Sequence, residues 1–346
     1  MGRGLAAVLG CALWIWSGSA TAAVILLYHH VAEDTPAATS VTVEQFAGHL
    51  AQLKAEGFDV LRLDQLVAAV QDGAPASRKL AAITFDDAYQ SIFRNARPLL
   101  AEYGWPATVF VATDAVGQGR QMMTVAQLQQ LHREGHLLVN HTASHRHLIR
   151  RPQQVTEADW RALVWADIEQ GQAQLTAWLG SAPPRYLAYP YGEHDGMVRE
   201  LLAEHGYLGF AQRSGALDAG VDWQDVPRIP VNRHYAGWSS LGDKVRALPW
   251  MVSVVAPASP VTDVARPELV LTLPRAWQGR VQCFAGNAME QRWQLDGERV
   301  QLRATPAADL PAGRTLVNCT AAAGGGRFHW HSHLWLRRSG GQWPAE

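Results

Sequence analysis

The sequence predicts an α/β protein in two parts: a βα repeat that builds a mainly parallel sheet, then a small antiparallel β-sandwich. Three observations carry this. Short apolar runs alternate with amphipathic segments from Val24 for about 210 residues, the rhythm of a parallel sheet either closed as a barrel or open and doubly wound. Pro257, Pro260 and Pro267 then interrupt the chain, and the rhythm stops. Beyond them β-patterned stretches follow one another to the end, with Asp296-Gly297 as a hairpin turn.

Taken in order, residues 1–22 read as an export signal. Arg3 gives a positive start, Leu5 to Trp16 is apolar, and Ala20-Thr21-Ala22 is a small-x-small cleavage site. About a dozen apolar residues fall short of the ~20 that span a bilayer, so the mature chain is expected to begin near Ala23 and to carry no membrane span. A lipoprotein signal at Val8-Leu9-Gly10-Cys11 ranks behind both readings, because the apolar stretch before it is short. The protein is thus expected outside the cytoplasm, periplasmic or extracellular.

Residues 23–255 form the repeat. Strands are expected at 24–28, 58–63, 80–85, 107–112, 136–140, 186–189 and 208–212, and helices near 91–103, 124–134, 156–179 and 195–205. Thr42-Val43-Glu44-Gln45 is a capping box opening a further helix whose Phe46, Leu50 and Leu53 share a face and which stops at Gly57. Residues 256–266 read as a linker and 267–346 as the β-rich part, with strands at 268–273, 281–285, 292–295, 298–303, 316–320 and 328–337. That part holds Trp277, Trp293, Trp330, Trp335 and Trp343, which suit a core better than a sugar-stacking surface.

A formal charge of −1 at pH 7 leaves no basic footprint for nucleic acid, and a neutral substrate fits this balance. If Cys11 leaves with the signal, Cys283 and Cys319 remain, an even pair that suggests a disulfide after export.

In parallel βα folds chemistry collects at the carboxyl ends of strands. His29-His30, Asp86-Asp87, His141 with His145, and Tyr189-Pro190-Tyr191-Gly192 all fall just past apolar runs. Adjacent carboxylates can divide the work of metal-assisted hydrolysis, one as ligand and one as proton acceptor. Histidine spacing alone does not choose a site, since His132/His136, His141/His145 and His329/His333 all lie four apart. The first pair sits at the amino end of its strand. The third, with His331, alternates along a strand and reads as a partly exposed sheet face. Only His141/His145 lies at a carboxyl end.

These residues resemble the polysaccharide deacetylases of carbohydrate esterase family 4. Thr84-Phe85-Asp86-Asp87, His141-Thr142-Ala143-Ser144-His145 and Tyr189-Pro190-Tyr191-Gly192 are similar to its first three motifs, in its order, over roughly residues 24–245. Leu27-Tyr28-His29-His30-Val31 is similar to the branch acting on biofilm poly-β-1,6-N-acetylglucosamine. The resemblance implies a distorted (β/α) barrel with fewer than eight repeats and N-deacetylation of an N-acetylglucosamine polysaccharide. It implies a divalent metal on Asp87, His141 and His145, with Asp86 as general base. Two imidazoles and a carboxylate suit Zn2+, with Ni2+, Co2+ and Fe2+ as alternatives. The backbone N–H of Tyr191, beside Pro190 and Tyr189, becomes the expected oxyanion donor, and Tyr28 and Tyr191 are expected to line the sugar site.

Three departures redistribute roles. Ala188 stands where many members carry arginine, so Arg228 is expected to orient Asp86. Asp218 and Asp222-Trp223 resemble the fourth motif with one residue too many between them, leaving Asp222 and Trp223 as supporting residues. The late Leu-x-His is absent, since His234 lacks its leucine, and His29 is therefore expected as general acid ahead of His30 and His234. His147 is the rival of His145 for the metal. Peptidoglycan or chitin-type substrates, and a carbohydrate-binding protein without catalysis, are the alternative functions.

Overall fold

The computed structural model describes residues 22–74, 78–250, 252–257 and 259–344. The export signal read at residues 1–22 lies, apart from Ala22, outside the described residues. No described helix is long and apolar enough to cross a membrane.

In chain order the first part forms β1 (Ala22–Tyr28), β2 (His30–Val31), β3 (Ser40–Val41), α1 (Val43–Ala55), β4 (Asp59–Val60), α2 (Leu63–Gln71) and β5 (Lys79–Phe85). A π turn (Ile92–Ala96) leads into α3 (Arg97–Tyr103), followed by β6 (Thr108–Val111), α4 (Val125–Arg133), β7 (Leu137–Asn140) and α5 (Glu157–Leu179). Then come β8 (Tyr186–Ala188), α6 (Gly196–Glu204), β9 (Leu208–Phe210), β10 (Ile229–Pro230) and α7 (Trp238–Val245).

The strands pair in parallel in the order β10-β1-β5-β6-β7-β8-β9, with β4 beside β5. One extended segment closes the ring: Val226 bridges Phe210 of β9, and three residues on Ile229 pairs with Leu26 of β1. The result is a distorted barrel, the closed alternative of the two that the βα rhythm left open. Its strands are buried on both sides, as parallel strands under helices must be. Along β1, Val24, Leu26 and Tyr28 pack in one cluster with α1, α3 and α4, while Ala23 and Ile25 join Phe110, Val139, Ala188 and Phe210 in another.

Helix α1 has the expected capping box: Gln45 N donates to Thr42 Oγ1 at 3.0 Å, and Thr42 N donates to Gln45 Oε1 at 3.0 Å. The strand expected over 58–63 is shorter than its pattern. Leu63 opens α2 instead, because Leu63, Leu66, Val67 and Val70 repeat at helical spacing and are all buried. Helix α7 and strand β10 were not legible in the sequence as elements.

The second part is a mainly antiparallel sandwich of β11 (Ser253–Ala256), β12 (Val261–Thr262), β13 (Leu269–Pro274), β14 (Gln282–Ala285), β15 (Asn287–Asp296), β16 (Arg299–Pro306), β17 (Gly313–Gly324) and β18 (Arg327–Arg337). Leu269, Leu271, Val300 and Leu302 from one side share a core with Val281, Val317, Ala321 and Trp335 from the other. Asp296 and Arg299 pair across the turn, where Gly297 takes a φ of 58°. The stretch 256–266, read as a linker, is bonded into this sheet: Ala256 pairs with Val270, and Val261-Thr262 with Leu336-Arg337. Cys283 and Cys319 sit opposite each other on β14 and β17 and form a disulfide, with Cα atoms 4.0 Å apart.

The sandwich is docked against the barrel. Leu334 and Leu336 of β18 are buried with Leu148, Trp160, Leu201 and Tyr207, and Leu248 N donates to Phe328 O at 2.8 Å. The three histidines of β18 are half-buried, as a partly exposed sheet face requires, and the barrel approaches that face. Gly215 bridges His331, Leu248 bridges His329, and His331 and His333 line a cavity together with Arg213 and Asp225. Trp335 is core, Trp277 and Trp293 pack against it, and Trp343 lies in the interface over which Arg150 places its guanidinium.

The Cys283–Cys319 link closes a 36-residue separation, for which loop entropy predicts about 3–4 kcal/mol of stabilisation. Urea unfolding of the Cys283→Ala/Cys319→Ala variant is expected to show that loss in the sandwich transition, and an unchanged midpoint would refute it.

Candidate active site

Both carboxylates of the Asp86-Asp87 pair follow β5, and both histidines of 141–145 follow β7, so the two loops meet over one rim of the ring. Asp87 Oδ1 lies 3.3 Å from His141 Nε2 and 3.1 Å from His145 Nε2. The potential ligand atoms of these three residues fall within 4.8 Å of one another. His141 Nδ1 bonds to the carbonyl of Ala188 at 2.8 Å, so that nitrogen carries the proton and the lone pair is on Nε2. Nε2 is buried and has no hydrogen-bond partner. An orphaned imidazole nitrogen aimed at a carboxylate and a second imidazole is the donor set of a divalent metal site.

The loops hold unusual backbone shapes. Among the described residues, the non-glycine residues with positive φ are Asp87 (71°), Ala88 (60°), Thr142 (64°), His145 (56°) and Tyr191 (58°), and every one lies in these motifs or directly beside one. Each left-handed residue costs of order 1 kcal/mol, so the surroundings must over-determine it. Helix α5 does this for the histidine loop. Asp167 accepts from Ser144 N and Oγ, both at 3.0 Å, and Ile168 O accepts from Asn140 Nδ2 at 2.8 Å. Asn140 Oδ1 in turn accepts from Thr142 N at 2.8 Å. Gly171 admits this approach, since a Cβ there would sit 2.6 Å from Asn140 Oδ1. Asp167 was missed in the sequence; a carboxylate on the buried face of an amphipathic helix was its one signal.

Asp86 is fully buried against Arg228, which is fully buried as well. Arg228 donates Nη1 and Nη2 to the two carboxylate oxygens at 2.7 and 2.9 Å, and Nε to Ala211 O at 3.1 Å. Arg228 comes from the segment that closes the ring, on the opposite side of β1 from Asp86. Burial alone would push the Asp86 carboxyl up, but Arg228 and His141 outweigh it and hold it below the usual carboxylate range. Asp87 likewise resists burial and is held well below that range by His141 and His145. His141 is raised against the pull of burial by Asp86 and Asp87.

His29 faces the same cavity as Asp87 and His145, and burial lowers its imidazole against the raising influence of Asp87 and Asp86. His30 turns aside to stack on Tyr89 at 3.6 Å, and burial takes it down to about 4. His234 is exposed. His147 is engaged elsewhere: its Nδ1 meets Glu193 at 2.7 Å and its ring stacks on Tyr191 at 3.7 Å.

Five expected contributors are corrected. Tyr189 is core, with its hydroxyl donating to Gln224 O at 2.5 Å, and Pro190 is buried beneath the same turn, so of that motif Tyr191 alone presents a side chain, 39% exposed, to the cavity. Tyr28 is buried under α1, with its hydroxyl against His49. Asp222 pairs with Arg199 away from the cavity, and Trp223 packs against the cluster beneath the ring. Besides Asp167, two more residues were missed: Gln212 and, from the sandwich, Arg314, whose Nη1 donates to Tyr191 O at 2.8 Å and to Gln212 Oε1 at 2.9 Å.

Ring, strand-end carboxylates and paired imidazoles together define a hydrolase site of the polysaccharide deacetylase class. Residues 73–210 match the family model described as polysaccharide deacetylase, and the chain carries that domain. It is similar to the poly-beta-1,6-N-acetyl-D-glucosamine N-deacetylase of Staphylococcus epidermidis, 26% identical over 201 residues that cover 56% of this chain and 68% of that one. The solved structure of IcaB from Ammonifex degensii is 26% identical with a TM-score of 0.58, covering 66% of this chain and 98% of its own. The Streptococcus pyogenes deacetylase PplD, solved with acetate, shares the fold at 22% identity and a TM-score of 0.56, covering 65% of this chain and 98% of its own.

Removing the partner of a buried charge destabilises by ~3–5 kcal/mol, so Arg228→Met is expected to lose that much in urea unfolding at neutral pH. Because folding depresses the Asp86 pKa, the pair's contribution is complete above the unfolded value of about 4 and fades as pH falls below it. The gap between wild type and variant should therefore narrow on acidification below that point; a gap independent of pH would contradict the pairing.

Proposed function

We propose that the protein is a metal-dependent N-deacetylase acting outside the cytoplasm on a polysaccharide of N-acetylglucosamine, with the poly-β-1,6-linked polymer as the first candidate. The observation that carries the reading is the fully buried Arg228–Asp86 pair set beside the Asp87, His141 and His145 group. The Staphylococcus epidermidis relative bears the name of that reaction, and the export signal read in residues 1–22 agrees with an extracytoplasmic glycan.

Asp87, His141 and His145 would hold the ion, Zn2+ by donor type, with Ni2+, Co2+ and Fe2+ as alternatives. When bound there, a divalent ion supplies Lewis acidity toward water and toward the acetamide carbonyl. The chain's own residues do the rest. Asp86 stays ionised because Arg228 offsets its burial, so it can accept the proton of the attacking water. Arg228 fixes both carboxylate oxygens, which sets the direction from which that proton is taken. The backbone N–H of Tyr191 is the assigned donor to the developing oxyanion. His29 is the assigned proton donor to the leaving amine: of the other imidazoles lining the cavity, His145 belongs to the group assigned to the ion and His147 is held by Glu193.

Acetate release should be measured on poly-β-1,6-N-acetylglucosamine, chitin oligomers and peptidoglycan, with chelated and metal-restored protein. Activity on the first, lost on chelation and restored by Zn2+, is expected. Preference for either other substrate would move the substrate assignment, and full turnover after demetallation would end the reading. Asp86→Asn should keep its metal and lose about 10²–10⁴-fold in kcat, whereas His141→Ala should lose metal, both read by metal analysis beside turnover. His29→Ala with intact turnover would remove that residue from its role.

A further inference from the structure

We propose that the β-sandwich forms one wall of the substrate groove and binds sugar units flanking the one under attack; this rests on the N-deacetylase reading above. The cavity over Asp87 and His145 has a volume of about 1140 Å³ and is lined from both parts of the chain. That exceeds the ~300–1,000 Å³ of a usual small-molecule pocket, which gives room for more than one sugar ring. Phe284, Asn318 and Trp330 enter it from β14, β17 and β18.

The distribution of exposed aromatic rings points to the occupant. Among the described residues the large aromatic side chains with high exposure are Tyr191, Tyr235 and Phe284, at 39%, 59% and 37%, and all three line this one groove. Exposed apolar rings gathered in one groove mark a binding surface, and ring faces suit the apolar faces of pyranose units, with polar groups at the edges for hydroxyls. Lys244 Nζ lies 5.6 Å from the Tyr235 ring and 5.8 Å from that of Trp330, so an ammonium is lodged between the two rings. Trp330 is fixed in place, its Nε1 donating to Asn318 Oδ1 at 3.2 Å and to Ser332 Oγ at 3.0 Å.

The wall is also tied to the reacting end of the groove. Arg314 of β17 reaches the carbonyl of Tyr191 and, through Nη2, the carbonyl of Gln212 at 2.6 Å. It is a positioning residue for the Tyr191 turn, whose left-handed backbone and close approach of Gly192 to Gln212 leave little slack. The sandwich also shares buried Leu334 and Leu336 with the barrel. A module that binds glycan on its own and hangs from a tether would have none of these contacts.

The test compares kcat/KM of the full-length enzyme on long β-1,6-N-acetylglucosamine oligomers and on the disaccharide, for wild type, Phe284→Ala and Trp330→Ala. Melting temperature serves as the check on folding. The ratio of long to short is expected to fall about tenfold in Phe284→Ala, equivalent to ~1.4 kcal/mol, with the loss in KM. Active wild type with the same ratio in both variants overturns the proposal and leaves the deacetylase reading standing. Wild type inactive on every oligomer overturns both. Arg314→Lys, which keeps the charge and loses the forked geometry, should instead lower kcat on long and short substrates alike; an effect on melting temperature alone would reduce Arg314 to a structural contact.

Discussion

The contact on which the rest depends is the buried ion pair between Arg228 and Asp86. Arg228 lies on the segment that closes the barrel, donates to Ala211 O beyond β9, and places its guanidinium over the Phe110 ring at 4.7 Å. Its two parallel bonds to Asp86 therefore join the last element of the ring to the carboxyl end of β5. A guanidinium in an apolar interior is tolerable only when its donors are met, and a buried carboxylate keeps its charge only beside such a partner. Each makes the other possible. Closure of the fold and ionisation of Asp86 are consequently coupled through one contact.

Around that pair the site is made of strained turns held from behind. Among the described residues, five left-handed non-glycine residues sit in three loops. Asp167 and Gly171 of α5 brace the histidine loop, and Arg314 braces the Tyr191 turn. The geometry of the Asp87, His141 and His145 group thus draws on a long helix and on a second domain, in addition to the strands that carry these residues.

Much of this was legible because strand ends are marked twice, by apolar runs and by the polar residues that break them. Asp86, Asp87, His141 and His145 followed from that rule, and Arg228 from the gap left at Ala188. Burial periodicity likewise marked α1 and its capping box. What the sequence hid was tertiary. Tyr189 and Tyr191 lie two apart in one motif, and only the backbone turn between them decides that one is core and the other lines the groove. Asp222-Trp223 matched a motif by composition while its carboxylate was spoken for by Arg199. The alternating histidines of β18 are half-buried on their strand, as the pattern implied; what a strand pattern does not say is that the barrel docks beside them. Arg314 carried no local signal, being one arginine on a strand with partners more than a hundred residues away.

The disulfide acquires meaning from its immediate neighbours. Cys283 precedes Phe284 and Cys319 follows Asn318, so the covalent bond fastens together two of the three strands by which the sandwich lines the cavity. A chain kept reduced would possess every ligand and every aromatic ring yet lack this lock. Without it these two strands would be joined by backbone hydrogen bonds alone, so the stiffness of that side of the cavity depends on whether the chain has met an oxidant.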